Sequence, residues 1–227
     1  MDRTYTKDFL RGFDDSAYPD SFLYSYEVME CLAKNLNVDT FLVRHRQTGE
    51  FRIAKCSGDP MPENENHLLE NLHHDALPKY IEEHKNANMR CTVYEYVQGL
   101  PLGSLCAERM LDEKSILSIM TQLCDVLIYL HGQSPPVIHR DIKPQNIIVE
   151  GSGKVRLIDF GISREYDASA LKDTVYAGTQ DFAPPEQFGF SQTDCRSDIY
   201  SMGVLLRWLL IGSADDRMVT DTDKITA

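Results

Sequence analysis

The chain has 227 residues, 42% hydrophobic and 26% charged, a composition that excludes both a small disulfide-stabilised peptide and a disordered chain. Its 23 basic and 35 acidic residues give a net charge of -12. Nucleic-acid backbones and anionic membrane surfaces are therefore repelled on average, and we expect no nucleic-acid partner.

Six cysteines are spread along the chain without a CxxC pair or a metal-binding spacing. Residues 1–15 carry charges where a signal peptide needs an apolar run. The longest apolar stretch, residues 202–212, contains Arg207 and is much shorter than the roughly 20 residues of a membrane span. We expect a cytoplasmic protein with reduced thiols and no membrane span within this chain.

Four short runs in the first hundred positions have the composition of β-strands. They follow a polar and aromatic lead-in at residues 1–25, and Thr48-Gly49 forms a turn between the second and the third. We expect a small antiparallel sheet built from residues 26–32, 39–45, 50–56 and 90–97.

A helix is predicted after Pro62, with Glu65, Leu69 and Leu72 spaced along one face. A carboxylate in line with an apolar stripe is commonly a boundary residue between core and solvent, because amphipathic faces have ragged edges. The spacing alone leaves open whether Glu65 has a more specific role.

The rest of the chain has the pattern of a larger, mainly helical part. Residues 98–104 form a connector interrupted by Gly and Pro, and we place a domain boundary there. Apolar residues at helical spacing from Ile116 to Leu130 predict a long helix that ends at Gly132.

A β-hairpin is predicted around the glycine turn at residues 151–153. Pairing across this turn brings Asn146 and Asp159 close together. Amide and carboxylate oxygens suit Mg²⁺ rather than zinc. The hairpin therefore predicts a site for a hard cation at its open end.

The segment HRDIKPQN, residues 139–146, lies just before the hairpin. Beside a metal ion, Asp141 could accept a proton from an attacking hydroxyl, and Lys143 could neutralise charge on a transferred phosphoryl group. Taken singly, an Asp in a loop is usually a turn former and a Lys a solvated charge.

Three motifs occur together in the order and spacing of the protein-kinase signature set. They are HRDIKPQN at 139–146, DFG at 159–161 and GTQDFAPPEQ at 178–187. Through them the chain resembles the eukaryotic-like (Hanks-type) serine/threonine protein kinases found in bacteria, over about residues 26–212.

The resemblance implies a two-lobed α+β fold. A small lobe, residues 26–97, would hold an antiparallel sheet with one helix, and a larger, mainly helical lobe would occupy residues 98–227. Residues 1–25 would be an N-terminal extension. The last helices of the family are not recognisable, so we expect a fragment of a longer protein.

The resemblance also implies roles in the small lobe. Lys55 matches the strand lysine that holds the α- and β-phosphates of ATP, and Glu65 matches the helix glutamate that pairs with it. Leu69 would stack with Phe160 and His139 in the column of side chains that the family assembles in its active state.

The family binds adenine with main-chain groups. Tyr94 matches the gatekeeper, and the carbonyl of Glu95 and the amide of Val97 match the adenine contacts. Further positions that match the nucleotide site are Thr40, Ile53 and Ile148.

In the large lobe, Asp141 matches the catalytic base and Lys143 the lysine typical of serine/threonine kinases. Asn146 and Asp159 match the two Mg²⁺ ligands. Asp198 matches the helix aspartate that anchors the backbone of the catalytic loop.

Three further matches concern regulation. Thr179 matches the threonine that bonds to the catalytic base and its lysine. Arg140 matches the arginine that binds a phosphorylated activation segment, and we expect autophosphorylation at Thr174.

Glu186 matches a glutamate that the family pairs with an arginine from a later helix. That arginine is not recognisable here. We expect either that it lies beyond residue 227 or that Glu186 pairs locally with Arg207 or Arg217.

The phosphate-covering loop departs from the family pattern. Its three expected glycines, which let backbone amides approach the phosphates, fall at Ala33, Asn35 and Val38. Asp39 adds negative charge, and Ile53 replaces a small alanine. We expect weakened ATP binding and keep a pseudokinase, a nucleotide-binding signalling scaffold, as the alternative.

The leading hypothesis is an ATP- and Mg²⁺-dependent kinase that phosphorylates Ser or Thr of a protein substrate. Self-association would permit autophosphorylation in trans. A small-molecule kinase of the aminoglycoside or choline type shares the Asp and Asn five positions apart, but Lys143 and residues 178–187 favour polypeptide substrates.

Overall fold

In a computed structural model of the chain, the described residues are 15–34, 38–58, 64–166, 181–188 and 192–211. The chain divides into two compact units. The N-terminal unit comprises residues 1–71 and 78–97, and the C-terminal unit comprises residues 72–77 and 98–227.

A five-stranded antiparallel sheet in the order β1-β2-β3-β5-β4 dominates the N-terminal unit, which confirms the predicted sheet. The strands are β1 Tyr26–Lys34, β2 Val38–His45, β3 Phe51–Gly58, β4 Tyr80–Lys85 and β5 Met89–Glu95. The helices are α1 Asp20–Ser25 and α2 Asn64–Asn71. The sequence patterns missed both α1 and β4.

One face of this sheet carries the apolar core of the unit. Phe41, Ala54 and Val93 are fully buried on neighbouring strands, and they pack with aromatic side chains from the segment that contains α1. Side chains alternate between the two faces of a strand, so Lys55 projects from the opposite face. It lies in register with Thr40 and Thr92.

The C-terminal unit combines helices with two small sheets, in the orders β6-β8-β9 and β10-β7. The helices are α3 Leu102–Glu108, α4 Glu113–His131 and α5 Cys195–Ile211. The strands are β6 Leu100–Pro101, β7 Val137–Ile138, β8 Ile147–Val149, β9 Val155–Leu157 and β10 Arg164–Glu165.

Residues 98–104, predicted as a connector, contain the strand β6 and the first residues of α3. Pro101 precedes α3, where its fixed φ suits a helix start, and Leu102 and Leu105 anchor the helix by burial. Gly99 and Pro101 therefore lie at the two ends of β6, whereas Gly103 lies within α3.

The long helix α4 has the predicted end and a clear start. Asp112 accepts a hydrogen bond from Ser115 N at 2.9 Å as the N-cap, and Gly132 is the C-cap. Ile119, Leu123 and Leu130 are buried on its inner face. Spacing of apolar residues was a sufficient signal for this helix.

The predicted hairpin is formed by β8 and β9. Gly153 adopts a φ of 83°, in the left-handed region that favours glycine, and closes the turn by donating to Glu150 O at 2.8 Å. Ile147 pairs with Leu157, so Asn146 lies at the open end.

Gly99 lies immediately before β6 against the backbone of β8. A Cβ there would lie 2.6 Å from Val149 O and 2.7 Å from Ile148 Cγ2. We expect Gly99→Ala to lower the free energy of unfolding by about 2 kcal/mol through overpacking. Gly151→Ala is the matched control, because a Cβ at Gly151 meets nothing within 4 Å. Equal urea midpoints for the two variants would contradict this expectation.

Candidate active site

Two side chains of the loop between β7 and β8 converge on one carboxylate oxygen. Lys143 Nζ donates to Asp141 Oδ2 at 2.7 Å, and Asn146 Nδ2 donates to the same oxygen at 2.7 Å. Asn146 also donates to the main-chain oxygen of Asp141 at 2.9 Å. The carboxylate thus has a fixed orientation in the loop.

Neighbouring residues hold this loop rigid. Ile142 and Pro144 are buried, and a 3₁₀ turn spans Pro144–Asn146. Proline suits the first position of such a turn because it has no N–H to leave unpaired. The chain therefore presents Asp141, Lys143 and Asn146 from one short, anchored segment.

Asp198, at the start of α5, is fully buried behind the loop. It accepts hydrogen bonds from the amides of His139 and Arg140, at 2.9 and 2.8 Å. Arg140 has a φ of 70°, a conformation unfavourable for a non-glycine residue. The two amide bonds stabilise this conformation directly before Asp141.

His131 is a third partner of Asp198 that the sequence did not indicate. Its Nε2 lies 2.8 Å from Asp198 Oδ2. His131 is the last residue of α4, and it belongs to none of the sequence motifs by which the other site residues were predicted. The contact places a hydrogen-bond donor beside a buried carboxylate, which lowers the cost of burying that charge.

His139 and Phe160 form a buried aromatic pair, with ring centroids 4.7 Å apart and an interplanar angle of 77°. Both rings are fully buried. Burial lowers the pKa of His139 from its ordinary value, although the Asp198 carboxylate acts in the opposite direction. The ring is therefore neutral in the folded protein near pH 7.

The lowered pKa of His139 predicts a loss of stability in acid. Unfolding restores an ordinary histidine pKa near 6.5, so the unfolded chain binds a proton that the folded chain does not. Stability should be full above about pH 6.5 and fall below it by at most about 1.4 kcal/mol per pH unit. Urea unfolding of wild type and His139→Phe at several pH values checks this. If the free energy of unfolding had the same pH dependence in wild type and His139→Phe, this prediction would be contradicted.

Asn146 and Asp159 lie at the open end of the hairpin. Ile158 N donates to Asn146 O at 2.9 Å, so the backbone on either side of the hairpin is joined there. Asp159 has a φ of 68° and accepts from Gly161 N at 3.4 Å. Because the Asn146 amide nitrogen donates to Asp141, its oxygen is the atom suited to a cation.

This donor set fits Mg²⁺, which is usually bound by one or two protein oxygen ligands together with waters and phosphate oxygens. Among the described residues, no group of three or more His, Cys, Asp or Glu side chains could hold a metal ion.

The N-terminal unit carries the other predicted nucleotide residues except Ile148, which lies on β8 of the C-terminal unit. Thr40 of β2 lies in register with Lys55 of β3, and Ile53 pairs with Leu42 and Tyr94. Lys55 is half-buried, and the Tyr94 side chain is buried.

The predicted adenine contacts lie at and just after the end of β5. Glu95 N donates to Lys79 O at 2.9 Å, and Glu95 Oε2 accepts from Lys79 N at 3.1 Å. Val97 follows the strand. These two bonds fix the backbone at Glu95, the first of the two predicted contacts.

Several predicted contacts stay predictions. Thr174 and Thr179 lie outside the described residues, and so does the side chain of Glu65. Leu69 is a buried residue of α2 in the N-terminal unit, whereas His139 and Phe160 belong to the C-terminal unit. The buried His139–Phe160 pair is the part of the predicted column that lies within one unit.

Glu186 has a hydroxyl partner in the structure. Its Oε1 accepts from Ser197 Oγ at 2.9 Å. The predicted arginine partner of Glu186 stays a prediction. Arg217 lies outside the described residues.

The family model described as "Protein kinase domain" matches residues 41–223 of the chain. The chain belongs to this family. The match includes part of β2, the strands β3 to β5, the catalytic loop, the hairpin and α5. The protein kinase domain therefore extends over parts of both compact units.

Curated relatives agree with this assignment. The chain is 28% identical over 198 residues to a probable serine/threonine-protein kinase of Clostridium perfringens, covering 82% of this chain and 29% of that protein. A putative leucine-rich repeat receptor-like serine/threonine-protein kinase of Arabidopsis thaliana is 32% identical, with coverages of 75% and 20%. The serine/threonine-protein kinase pkn2 of Myxococcus xanthus is 32% identical, with coverages of 64% and 18%.

The chain spans less than a third of the length of these three relatives. The similarity therefore concerns their kinase domains. None of the helices among the described residues combines the length and apolar character that a membrane crossing needs.

Proposed function

We propose that this domain is an ATP-dependent protein serine/threonine kinase. The observation that carries the proposal is the convergence of Lys143 and Asn146 on Oδ2 of Asp141. A carboxylate held in this way can receive a proton at a defined place, which general base catalysis requires. The kinase family and the names of the relatives support the same reaction class.

In the proposed reaction, Asp141 accepts the proton of a substrate Ser or Thr hydroxyl as its oxygen attacks the γ-phosphorus. The bond between this phosphorus and the β,γ-bridging oxygen breaks, and ADP leaves. Lys143 stabilises the charge of the transferred group. Asn146 and Asp159 would hold Mg²⁺, which neutralises charge on the phosphates.

Nucleotide recognition is part of the same proposal. Lys55 would hold the α- and β-phosphates with Glu65 as its ion partner, whereas Thr40, Ile53 and Ile148 would contact the nucleotide. Glu95 and Val97 would bind adenine through their backbone. Ile148 is a buried residue of β8, as expected for an apolar nucleotide contact.

A nucleotide-binding scaffold without catalysis is the second candidate, and the phosphate loop is the observation that favours it. Ala33 pairs with Thr40 within the sheet, so a glycine position of the family is an ordinary strand residue here. Lys34 Nζ lies 4.0 Å from Asp39 Oδ2 and partly balances the added negative charge.

Regulation by autophosphorylation is proposed at Thr174, with Arg140 as the phosphate partner. Thr179 would bond to Asp141 and Lys143, and Glu186 would stabilise its segment through Ser197. The protein substrate and any self-association required for transfer in trans belong to the same proposal.

Intact mass after incubation with MgATP tests the kinase activity. The chain and a generic Ser/Thr protein substrate are incubated with MgATP, with MgADP, and with ATP plus a chelator. Phosphate addition only in the first sample is expected. No phosphate on either protein, together with nucleotide binding measured by calorimetry, would instead support the scaffold.

A further inference from the structure

An N-terminal clip, defined as residues 16–26, covers one face of the sheet. It precedes the region matched by the family model, residues 41–223. Tyr18, Phe22 and Tyr26 are buried and belong to one core cluster with Ala54 and Cys56. Burial, with the Cys56 thiol nearby, raises the pKa of Tyr18 well above its ordinary value.

Ring contacts pack the clip tightly. Phe22 has its ring centroid 6.3 Å from that of Tyr18 and 5.7 Å from that of Tyr26, in stacked arrangements. Tyr18 also makes an edge contact with Phe41 of β2, at 6.0 Å. Phe22, fully buried, is therefore the centre of this aromatic cluster.

Hydrogen bonds fix the clip to the strands and turns of the same unit. Arg46 Nε donates to the main-chain oxygens of Leu23 and Tyr26, both at 3.1 Å. Three more bonds connect the clip to β4 and the turn after it: Ser21 Oγ with His84 Nδ1 at 3.0 Å, Tyr26 OH to Glu82 Oε1 at 2.6 Å, and Asn86 Nδ2 to Ala17 O at 3.1 Å.

The clip packs against the strand that carries Lys55. Ala54 and Cys56 flank this lysine, and both are buried in the cluster centred on Phe22. Since successive side chains point to opposite faces, the core cluster that contains the clip lies on the face of β3 opposite to Lys55. The clip therefore belongs to the apolar layer behind the strand that carries Lys55.

We propose that the clip is a positioning element for nucleotide binding, with Phe22 as its anchor, which sets the position of Lys55 through Ala54 and Cys56. The proposal rests on the proposed nucleotide role of Lys55. A loss of packing behind β3 lets this central strand shift. A shift of about 1 Å in the position of a binding group can lower the contribution of that group up to a hundredfold.

Calorimetric titration with MgADP, combined with thermal unfolding, tests the proposal. Phe22→Leu, a mild change, and Phe22→Ala are compared with Tyr24→Ala. Tyr24 lies on the same helix and is 78% exposed, so its removal leaves the cluster intact. We expect Kd for MgADP to rise about tenfold in Phe22→Ala, to rise less in Phe22→Leu, and to stay unchanged in Tyr24→Ala.

A double-mutant cycle separates positioning from general destabilisation. In a Lys55→Ala background, the Phe22 substitutions should change Kd for MgADP no further. An equal loss of affinity in both backgrounds, or a lower Tm with unchanged Kd, would overturn the proposal. A wild-type chain that binds MgADP but transfers no phosphate would overturn the kinase activity and leave the clip proposal standing. No MgADP binding by wild type would overturn both.

Discussion

Asp141→Asn is expected to lower the rate of phosphoryl transfer on the order of a thousandfold, while MgATP binding stays within about twofold. The amide has the shape of the carboxylate and can still accept from Lys143 and Asn146 through its oxygen. It cannot take a proton from the attacking hydroxyl. The loss therefore concerns the chemical step, and the loop keeps its geometry.

The control for this change is Asp125→Asn. Asp125 is exposed on α4, so the variant alters the net charge by the same amount without touching the loop. Single-turnover phosphate transfer to a protein substrate gives the rate, and calorimetry gives Kd for MgATP. If Asp141→Asn retains more than about a tenth of the wild-type rate, Asp141 is not the base.

Regular patterns allowed most of the sheet and α4 to be predicted from sequence, because β-rich runs and apolar spacing are local signals. The two missed elements have weak signals. The helix α1 is only six residues long, too short for a helical period to emerge. The strand β4, with the sequence YIEEHK, is mostly polar because it forms an edge of the sheet.

The candidate site was predictable for a different reason. Motif spacing predicted Asp141, Asn146 and Asp159 as site residues, and the structure brings Asn146 to Asp141. The partner His131 was missed because it meets Asp198 only after α4 and α5 are packed. The partner Ser197 was missed because it meets Glu186 only after the 3₁₀ turn Pro185–Phe188 lies against the start of α5. Contacts that depend on tertiary packing leave no short-range pattern in a sequence.

Asp198→Ala is expected to affect both stability and catalysis. Removing the carboxylate leaves the buried amides of His139 and Arg140 without their acceptor. Each unsatisfied donor costs about 1–3 kcal/mol, so we expect the free energy of unfolding to fall by about 3 kcal/mol. The left-handed conformation of Arg140 also loses its support, which should misplace Asp141 and lower kcat.

The matched control is Asp194→Asn, just before α5. Asp194 pairs with Arg196 at 2.7 Å, but the Arg196 side chain is 89% exposed, and such pairs contribute at most about 1 kcal/mol. Urea unfolding and single-turnover kinetics should therefore show a large loss of stability and rate for Asp198→Ala and little change for Asp194→Asn.

Asp198→Asn tests whether the loop needs the negative charge of Asp198 or only its hydrogen bonds. The amide keeps one oxygen acceptor, but its N–H groups point towards other donors. If Asp198→Asn matched wild type in both measurements, the negative charge at this position would not be needed, and hydrogen-bond geometry alone would maintain the loop.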